Sequence, residues 1–324
     1  MAINLLTLEP HKVSRDLSGY ITYIYGAPKT GKTTLASQMP KPLLLAFEKG
    51  YNALPGVIAQ DVTSWSEMKA VLRDLKKPEV KERFSTICID TIDIAAVLCD
   101  KYVCSQNDVD AIGDIPYGGG WGLLKKEFEG TFRAITQMGY ALFFISHSKD
   151  KTFKREDGSE YNQIVPSVST MYNSIVENMV DIYGYMHAVR NENGTNIRIT
   201  LRSADGSVSC GGRFKYIPQE IGPTYQDLVN ALNEAIDKEA AETNGQFVTN
   251  EKIITEAPIK KDFQSLMAEF QDIAQQLMAI NQENSTKITA IVEKHLGKGK
   301  KISECTERQI EVVDFVVDEL KSLL

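Results

Sequence analysis

Histidine, tryptophan and cysteine are scarce in this chain. Four histidines are scattered through 324 residues, and the five cysteines, at 88, 99, 104, 210 and 305, form no C-x-x-C pair. No zinc site is visible, and the odd count argues against a disulfide framework. A reduced, cytoplasmic setting fits, with Cys88 and Cys99 as small core residues. No apolar run reaches the roughly 18 residues of a membrane span, and Met1-Ala2-Ile3-Asn4-Leu5-Leu6 lacks the basic region and long apolar core of a signal peptide. An excess of positive charge is missing too. The formal net charge is −7, which excludes nonspecific duplex binding by bulk composition, so any nucleic-acid contact must come from a local patch. No internal repeat or low-complexity tract stands out. What remains is the composition of a soluble globular protein, 43% hydrophobic and 24% charged, too long for one typical domain and short for three.

Against this background Gly26-Ala27-Pro28-Lys29-Thr30-Gly31-Lys32-Thr33 is a complete Walker A loop, G-x-x-x-x-G-K-T. Backbone N–H groups of such a loop cradle the phosphates of ATP, Lys32 reaches the β/γ-phosphates, and the Thr33 hydroxyl ligates Mg²⁺. The flanks agree. Residues 20–25 are β-branched and aromatic and read as a buried strand. Residues 34–39, from Thr34, read as the helix that faces the phosphates.

Apolar strands alternate with helical stretches from about residue 17 to 186. The strands are 20–25, 43–47, 86–90, 141–146 and 180–186; the helices lie near 32–39, 65–76, 92–104, 122–138 and 168–178. This order predicts an α/β fold with a mostly parallel sheet covered on both faces. Residues 196–202 then alternate with period two, a turn follows at 203–207, and 208–210 is expected to return as the second strand of a hairpin. A helix near 225–240 closes the core. Residues 241–261 lack periodicity and read as a linker. Beyond it Phe263, Leu266, Met267, Phe270, Ile273, Ala274, Leu277 and Met278 share one helix face. A second helix spans about 286–296 with Gly297 as its stop. A third starts at the capping-box pattern Thr306-Glu307-Arg308-Gln309, with Ile310, Val313, Val317, Leu320 and Leu324 on one stripe. The expected organisation is an N-terminal arm (1–16), an ATPase core (17–240), a linker (241–261) and a small all-α domain (262–324).

Phosphate chemistry also needs a carboxylate for Mg²⁺ and a group to orient the attacking water. The strand Phe84-Ser85-Thr86-Ile87-Cys88-Ile89-Asp90 ends in an acid, a Walker B pattern, and assigns Asp90 to the metal beside Thr33. Asp93, close behind, serves either beside the metal ligand or as a helix N-terminal carboxylate favoured by the dipole. Glu48 ends another strand, at the edge where open parallel sheets bind ligands, and is the candidate to polarise water. His147 arrives at the same edge after 141–146 and is a candidate γ-phosphate sensor.

The order of these parts resembles the RecA-like ATPase core, and specifically the compact RecA-core nucleotide-binding proteins of bacteriophages, some of which are single-strand annealing recombinases. The resemblance covers about residues 17–225 and rests on 26–34, 43–48, 87–93, 142–147 and Gly212-Arg213. It implies that Glu48 is the catalytic glutamate. It puts His147 where such cores usually carry a sensor Gln, and it makes Arg213 a residue that reaches a neighbouring subunit's ATP in a homo-oligomeric ring or filament; otherwise Arg213 is a surface arginine. Two segments fall where RecA-like proteins touch single-stranded DNA. One holds Tyr117 and Trp121 among glycines, leading to Lys125 and Lys126. The other is the basic loop with Lys151, Lys154 and Arg155, placed within a loop expected at 148–165. Aromatic faces and cations suit single strands, although Asp150, Glu156, Asp157 and Glu160 dilute the second segment. In the tail, Lys294, Lys298, Lys300 and Lys301 form a compact basic cluster, or a solvated helix end.

These observations lead to an ATP- and Mg²⁺-dependent DNA-binding ATPase of phage recombination or replication, in the host cytoplasm. A nucleotide-gated adaptor or helicase-loader-like protein, with the helical tail binding a protein partner, is the alternative. A P-loop kinase is disfavoured by the placement of Glu48.

Overall fold

The computed structural model describes residues 6, 9–192, 194–253 and 262–324. The chain divides into two compact units, one of them Pro10–Glu256 and the other built on the C-terminal residues Ala257–Leu324.

The larger unit carries twelve strands among the described residues: β1 (Val13–Ser14), β2 (Thr22–Gly26), β3 (Pro42–Ala46), β4 (Ala59–Asp61), β5 (Thr86–Asp90), β6 (Ala141–Lys154), β7 (Glu160–Pro166), β8 (Ile182–Asn191), β9 (Gly194–Thr200), β10 (Gly211–Gly212), β11 (Glu220–Ile221) and β12 (Val248–Thr249). Its helices are α1 (Lys32–Ser37), α2 (Trp65–Asp74), α3 (Pro78–Arg83), α4 (Ile92–Gln106), α5 (Gly119–Gln137), α6 (Thr170–Met179) and α7 (Tyr225–Glu242). The main sheet runs β11-β9-β8-β2-β6-β5-β3-β4. It is parallel from β8 to β4, and β9, β10 and β11 add antiparallel pairs at the other side. The fold is α/β with a mixed, mainly parallel sheet, as a P-loop NTPase core requires.

Both faces of the sheet are dry, which explains the near-continuous apolar strands. Successive side chains go to opposite sides. Tyr23, Tyr25, Ile87, Ile89, Leu142 and Phe144 pack with Trp65, Phe128 and Phe132 from α2 and α5. Ile24, Cys88, Phe143 and Ile145 pack with Leu35 of α1 and with Leu228, Leu232 and Ile236 of α7. Helix starts are capped where the sequence offers a cap. Ser64 Oγ accepts from the Glu67 N–H, and Thr224 with Asp227 forms a reciprocal box.

Three sequence expectations need correction. The segment 148–165 is not a loop: β6 overshoots the sheet and pairs with β7 from Ser148↔Pro166 to Lys154↔Glu160. An Asp157-Gly158 turn allows this, with Gly158 at φ +83° and the Ser159 N–H bonded to Asp157 Oδ1 at 2.8 Å. Residues 208–210 do not return against 196–202. β9 pairs backward with β8 instead, while Ile164 of β7 binds the 207–209 segment through Ile164 N–H to Ser207 O (2.8 Å) and Ser209 N–H to Ile164 O (2.9 Å). The arm and linker are not wholly irregular, because β1 and β12 pair in parallel; residues 1–5, 7–8 and 254–261 of those segments lie outside the described residues.

In the smaller unit α8 (Phe263–Ile280), α9 (Asn284–Leu296) and α10 (Ile310–Lys321) bury Leu266, Phe270, Leu277, Val292, Val313, Val317 and Leu320 together. Gly297 ends α9 at φ +101°. Met278 and Leu324 stay exposed, off the buried stripes to which the periodicity assigned them.

At Gly26 the sheet leaves no room for a side chain. A Cβ there would lie 2.1 Å from the Met186 carbonyl oxygen of β8, a backbone atom that no rotamer change moves aside. Gly26→Ala is expected to cost about 1–3 kcal/mol, as overpacking does. A fall in the denaturant midpoint measures it, and an unchanged midpoint contradicts the close approach.

Candidate active site

Parallel register brings the chemistry to one edge. Gly26 stands level with His147 of β6 and Met186 of β8, and Asp90 is level with Ala46 of β3 and Ile145 of β6. The carboxyl ends of β2, β3 and β5 and the His147 position of β6 therefore meet at one edge, the usual ligand position in such sheets.

After β2 the Walker A loop turns through Lys29 (φ +66°) and Gly31 (φ +98°) into α1. The Thr30 hydroxyl donates to the Ala27 carbonyl at 2.9 Å and staples the loop. Ala27, Pro28 and Lys29 form its exposed tip, and Thr34 is exposed in the first turn of α1. Lys32 is buried and donates to the carbonyls of Gly26 (2.9 Å) and Ala27 (2.8 Å). Burial lowers its pKa, against the pull of Asp90, Glu48 and Asp93.

Asp90 is also buried, and its Oδ2 accepts from the Thr33 hydroxyl at 2.7 Å. Burial raises its carboxyl pKa, opposed by the Thr33 hydrogen bond and by Lys32 and His147. A Cβ on Gly50 would lie 3.4 Å from Thr33 Oγ1 and 3.5 Å from Asp90 Oδ2, so the segment after Glu48 closes over the pair. Two adjacent oxygen ligands, one a carboxylate short of positive charge, fit a hard divalent cation.

Glu48 sits two residues beyond β3, and its N–H bonds the Asp90 carbonyl at 3.1 Å. Its Oε1 accepts from the Thr91 hydroxyl at 2.6 Å, and both carboxylate oxygens lie 3.3 Å from His147 Nε2. The His147 N–H points at Asp93 Oδ2 (3.3 Å), while the Ser167 hydroxyl donates to Asp93 Oδ1. His147 Nδ1 is buried without a hydrogen-bond partner among the described residues. Glu48 and His147 keep side-chain exposures of 35% and 31%, enough for water to reach both.

The structure thus brings together Lys32, Thr33, Glu48, Asp90 and His147. It does not bring Arg213 to them. That guanidinium pairs with Asp181 (3.1 Å) and the Asn178 carbonyl (3.1 Å). Asp181 in turn holds the Ile21 N–H, at the amino end of β2, opposite the loop. There Arg213 lines a cavity of about 480 Å³ with Tyr20, Arg133 and Lys252. Tyr117 and Trp121 are exposed, but Trp121 belongs to the first turn of α5, with Lys125 and Lys126 exposed on the same helix. On the β6–β7 hairpin Phe153 stacks on Tyr161 at 5.5 Å. Lys151 covers the first ring and Arg155 the second, each at 4.8 Å, and Lys154 faces Glu160 at 3.6 Å. Ser167 and Gly50 were not foreseen. Neither carries a local motif; only the fold brings them to the site.

The elevated pKa of Asp90 makes its burial costly to the fold. Its folded pKa lies above the unfolded value, so the folded chain binds the extra proton, and stability falls as pH rises through that interval. Asp90→Asn removes the cost. Its nucleotide-free melting temperature at neutral pH is expected to rise by about 2–4 °C, the shift roughly 1 kcal/mol gives at this size. A melting temperature at or below wild type contradicts the sign.

Residues 18–214 match the family model described as AAA domain. Over its whole length the chain is 32% identical to the SPbeta prophage-derived uncharacterized protein YorG of Bacillus subtilis (strain 168), across 337 aligned positions and 99% of that protein. Among solved structures it is similar to a KaiC-like protein, PH0186, of Pyrococcus horikoshii OT3, at 12% identity and a TM-score of 0.36, covering 66% of this chain and 96% of that one. With a Walker A loop, a Walker B acid and a family match across most of the larger unit, the chain belongs to the AAA-domain family of P-loop ATPases, enzymes that bind and hydrolyse ATP.

Proposed function

We propose that this ATPase is a RecA-like, Mg²⁺-dependent protein of phage recombination or replication that couples hydrolysis to single-stranded DNA. The observation that carries the reading is the place of Glu48. It lies beyond the strand that neighbours the Walker B strand, hydrogen-bonded to Thr91 and in contact with His147, and the strand bearing His147 continues directly into the β6–β7 hairpin. The prophage origin of the relative supports the phage setting.

Bound Mg²⁺·ATP supplies a γ-phosphate open to in-line attack by water. Lys32 would hold the phosphates, and Thr33 with Asp90 would hold the metal. Glu48 orients the water and takes its proton as general base. His147 reports the state of the site to the hairpin, whose Lys151, Lys154 and Arg155 meet the DNA backbone, with Tyr117, Trp121, Lys125 and Lys126 as a second contact. Arg213, remote from its own subunit's loop, serves a neighbour's site in a homo-oligomeric ring or filament. One observation favours an adaptor role alongside: the separate helical unit exposes Ile280 and Phe315, each at 67%, a surface suited to a protein partner.

Steady-state ATP turnover with and without single-stranded DNA tests this. Lys32→Ala is expected to abolish nucleotide binding. Glu48→Gln is expected to keep binding and lose turnover by about 10²–10⁴-fold, the usual worth of a general base. Wild-type turnover in Glu48→Gln rejects the base, and a rate indifferent to DNA at low salt rejects the DNA partner.

A further inference from the structure

We propose that Asp93 and Ser167 are positioning residues for ATP hydrolysis: together they fix where His147 stands against Glu48 and tie that contact to the seating of the β6–β7 hairpin. The proposal rests on the reading of Glu48 as the base.

The hairpin has two feet. It leaves the sheet after His147 and returns at Ser167, and the Ser167 N–H closes it on the His147 carbonyl at 2.8 Å. One carboxylate grips both feet. Asp93 Oδ2 faces the His147 N–H and Oδ1 accepts from the Ser167 hydroxyl. Asp93 lies in the first turn of α4, just after Asp90 and after Thr91, whose hydroxyl holds Glu48. Glu48 thus meets Thr91 and His147, and His147 meets Asp93, which follows Thr91 closely in the chain. Lys149 fastens the hairpin base from outside, donating to the Ser167 carbonyl at 2.8 Å.

A plain helix-terminus role for Asp93 does not account for this. Such a carboxylate would sit against the free N–H groups of its own helix. Both Asp93 oxygens are instead engaged by residues from the two ends of the hairpin. The Ser167 hydroxyl makes the closer of the two contacts, and the His147 N–H stands 3.3 Å from Oδ2. The His147–Glu48 contact, at 3.3 Å to each oxygen, stands near the limit of hydrogen bonding. A shift of a few tenths of an ångström at the hairpin base makes or breaks it. The orientation of Glu48 toward water then follows the hairpin, and misplacement of a catalytic group by about 1 Å costs on the order of 10²-fold in rate.

Ser167→Ala and Asp93→Asn, assayed at saturating ATP, are expected to lower kcat about tenfold while KM for ATP changes less than about twofold, the pattern of lost transition-state positioning. Ser167→Thr keeps the hydroxyl and is expected to recover most of the rate, which a packing defect would not allow. In a Glu48→Gln background the same substitutions are expected to leave the residual turnover within about twofold. Wild-type turnover in Glu48→Gln alone defeats the base reading and this proposal with it. A disabled Glu48→Gln beside Ser167→Ala at wild-type kcat, a change confined to KM, or failure of Ser167→Thr to recover the rate overturns the positioning role while leaving the base intact. Should Asp93→Asn not fold, the Ser167 pair decides.

Discussion

The register of β2 between β6 and β8 is the constraint on which the site depends. Gly26 must stand level with His147 on one side and Met186 on the other, close enough that the Met186 carbonyl occupies the space of a Cβ. In a sheet buried on both faces, a slip of one residue would exchange Tyr23 and Tyr25 for Ile24 between the two cores. The apolar alternation that fixes the register therefore also fixes the chemistry. It delivers the Walker A loop and His147 to one level, with Asp90 level with Ile145 just short of it and Glu48 just beyond β3.

At that level the charges are set against their surroundings. Lys32 is pushed toward its neutral form and Asp90 toward its protonated form, both chiefly by burial. Each group also pulls the other back, because opposite charges favour ionisation. Lys32 satisfies its ammonium with two loop carbonyls, and Asp90 accepts from Thr33. An anionic ligand on Lys32 and a cation on Asp90 would each relieve a desolvation cost already present in the fold. The edge thus suits the polyphosphate of ATP by the placement of its charges, not only by the shape of the loop.

Sequence reading recovered what is contiguous. The Walker A loop is a single run whose glycines and lysine have fixed duties, and Asp90 follows an unbroken apolar strand, so both were readable without the fold. Glu48 and His147 were readable once strand ends were taken as one edge. Ser167 was not, because it meets Asp93 only after a hairpin that runs out and back through residues 148–166. The hairpin is not legible as one, because the RecA-like order of parts places a DNA-contacting loop there and the Asp157-Gly158 turn is its one local mark. The glycines at 118–122 suggested a loop as well. Yet Gly119, Gly120 and Gly122 enter α5, where Gly120 is pressed so closely on the Ile112 carbonyl that a Cβ would lie 2.3 Å from it. Packing there overrides propensity. Arg213 was placed by chain order after a hairpin, but chain order does not say at which end of the sheet a residue lies; the bond from Asp181 to Ile21 puts it at the amino end.

The hairpin also bears on the kind of nucleic-acid contact a RecA-like reading implies. Base stacking needs an open aromatic face. Phe153 and Tyr161 stack on each other, and Lys151 and Arg155 lie over the two rings, so cation–π attraction holds the charges where a base would have to enter. The hairpin offers cations rather than ring faces, which would suit the phosphate backbone of the strand proposed above. Contacts of that kind are indifferent to sequence and steep in salt. Open faces are found instead at Tyr117, which is fully exposed, and at Trp121. These lie at the amino end of α5, which runs toward the start of β6, and so toward the carboxyl edge of the strands, where the phosphate loop stands, although α5 and α1 cover opposite faces of the sheet. For the single-stranded partner proposed above, the two surfaces would divide the work by their chemistry: the cations of the hairpin suit phosphates, and the rings at the start of α5 suit bases.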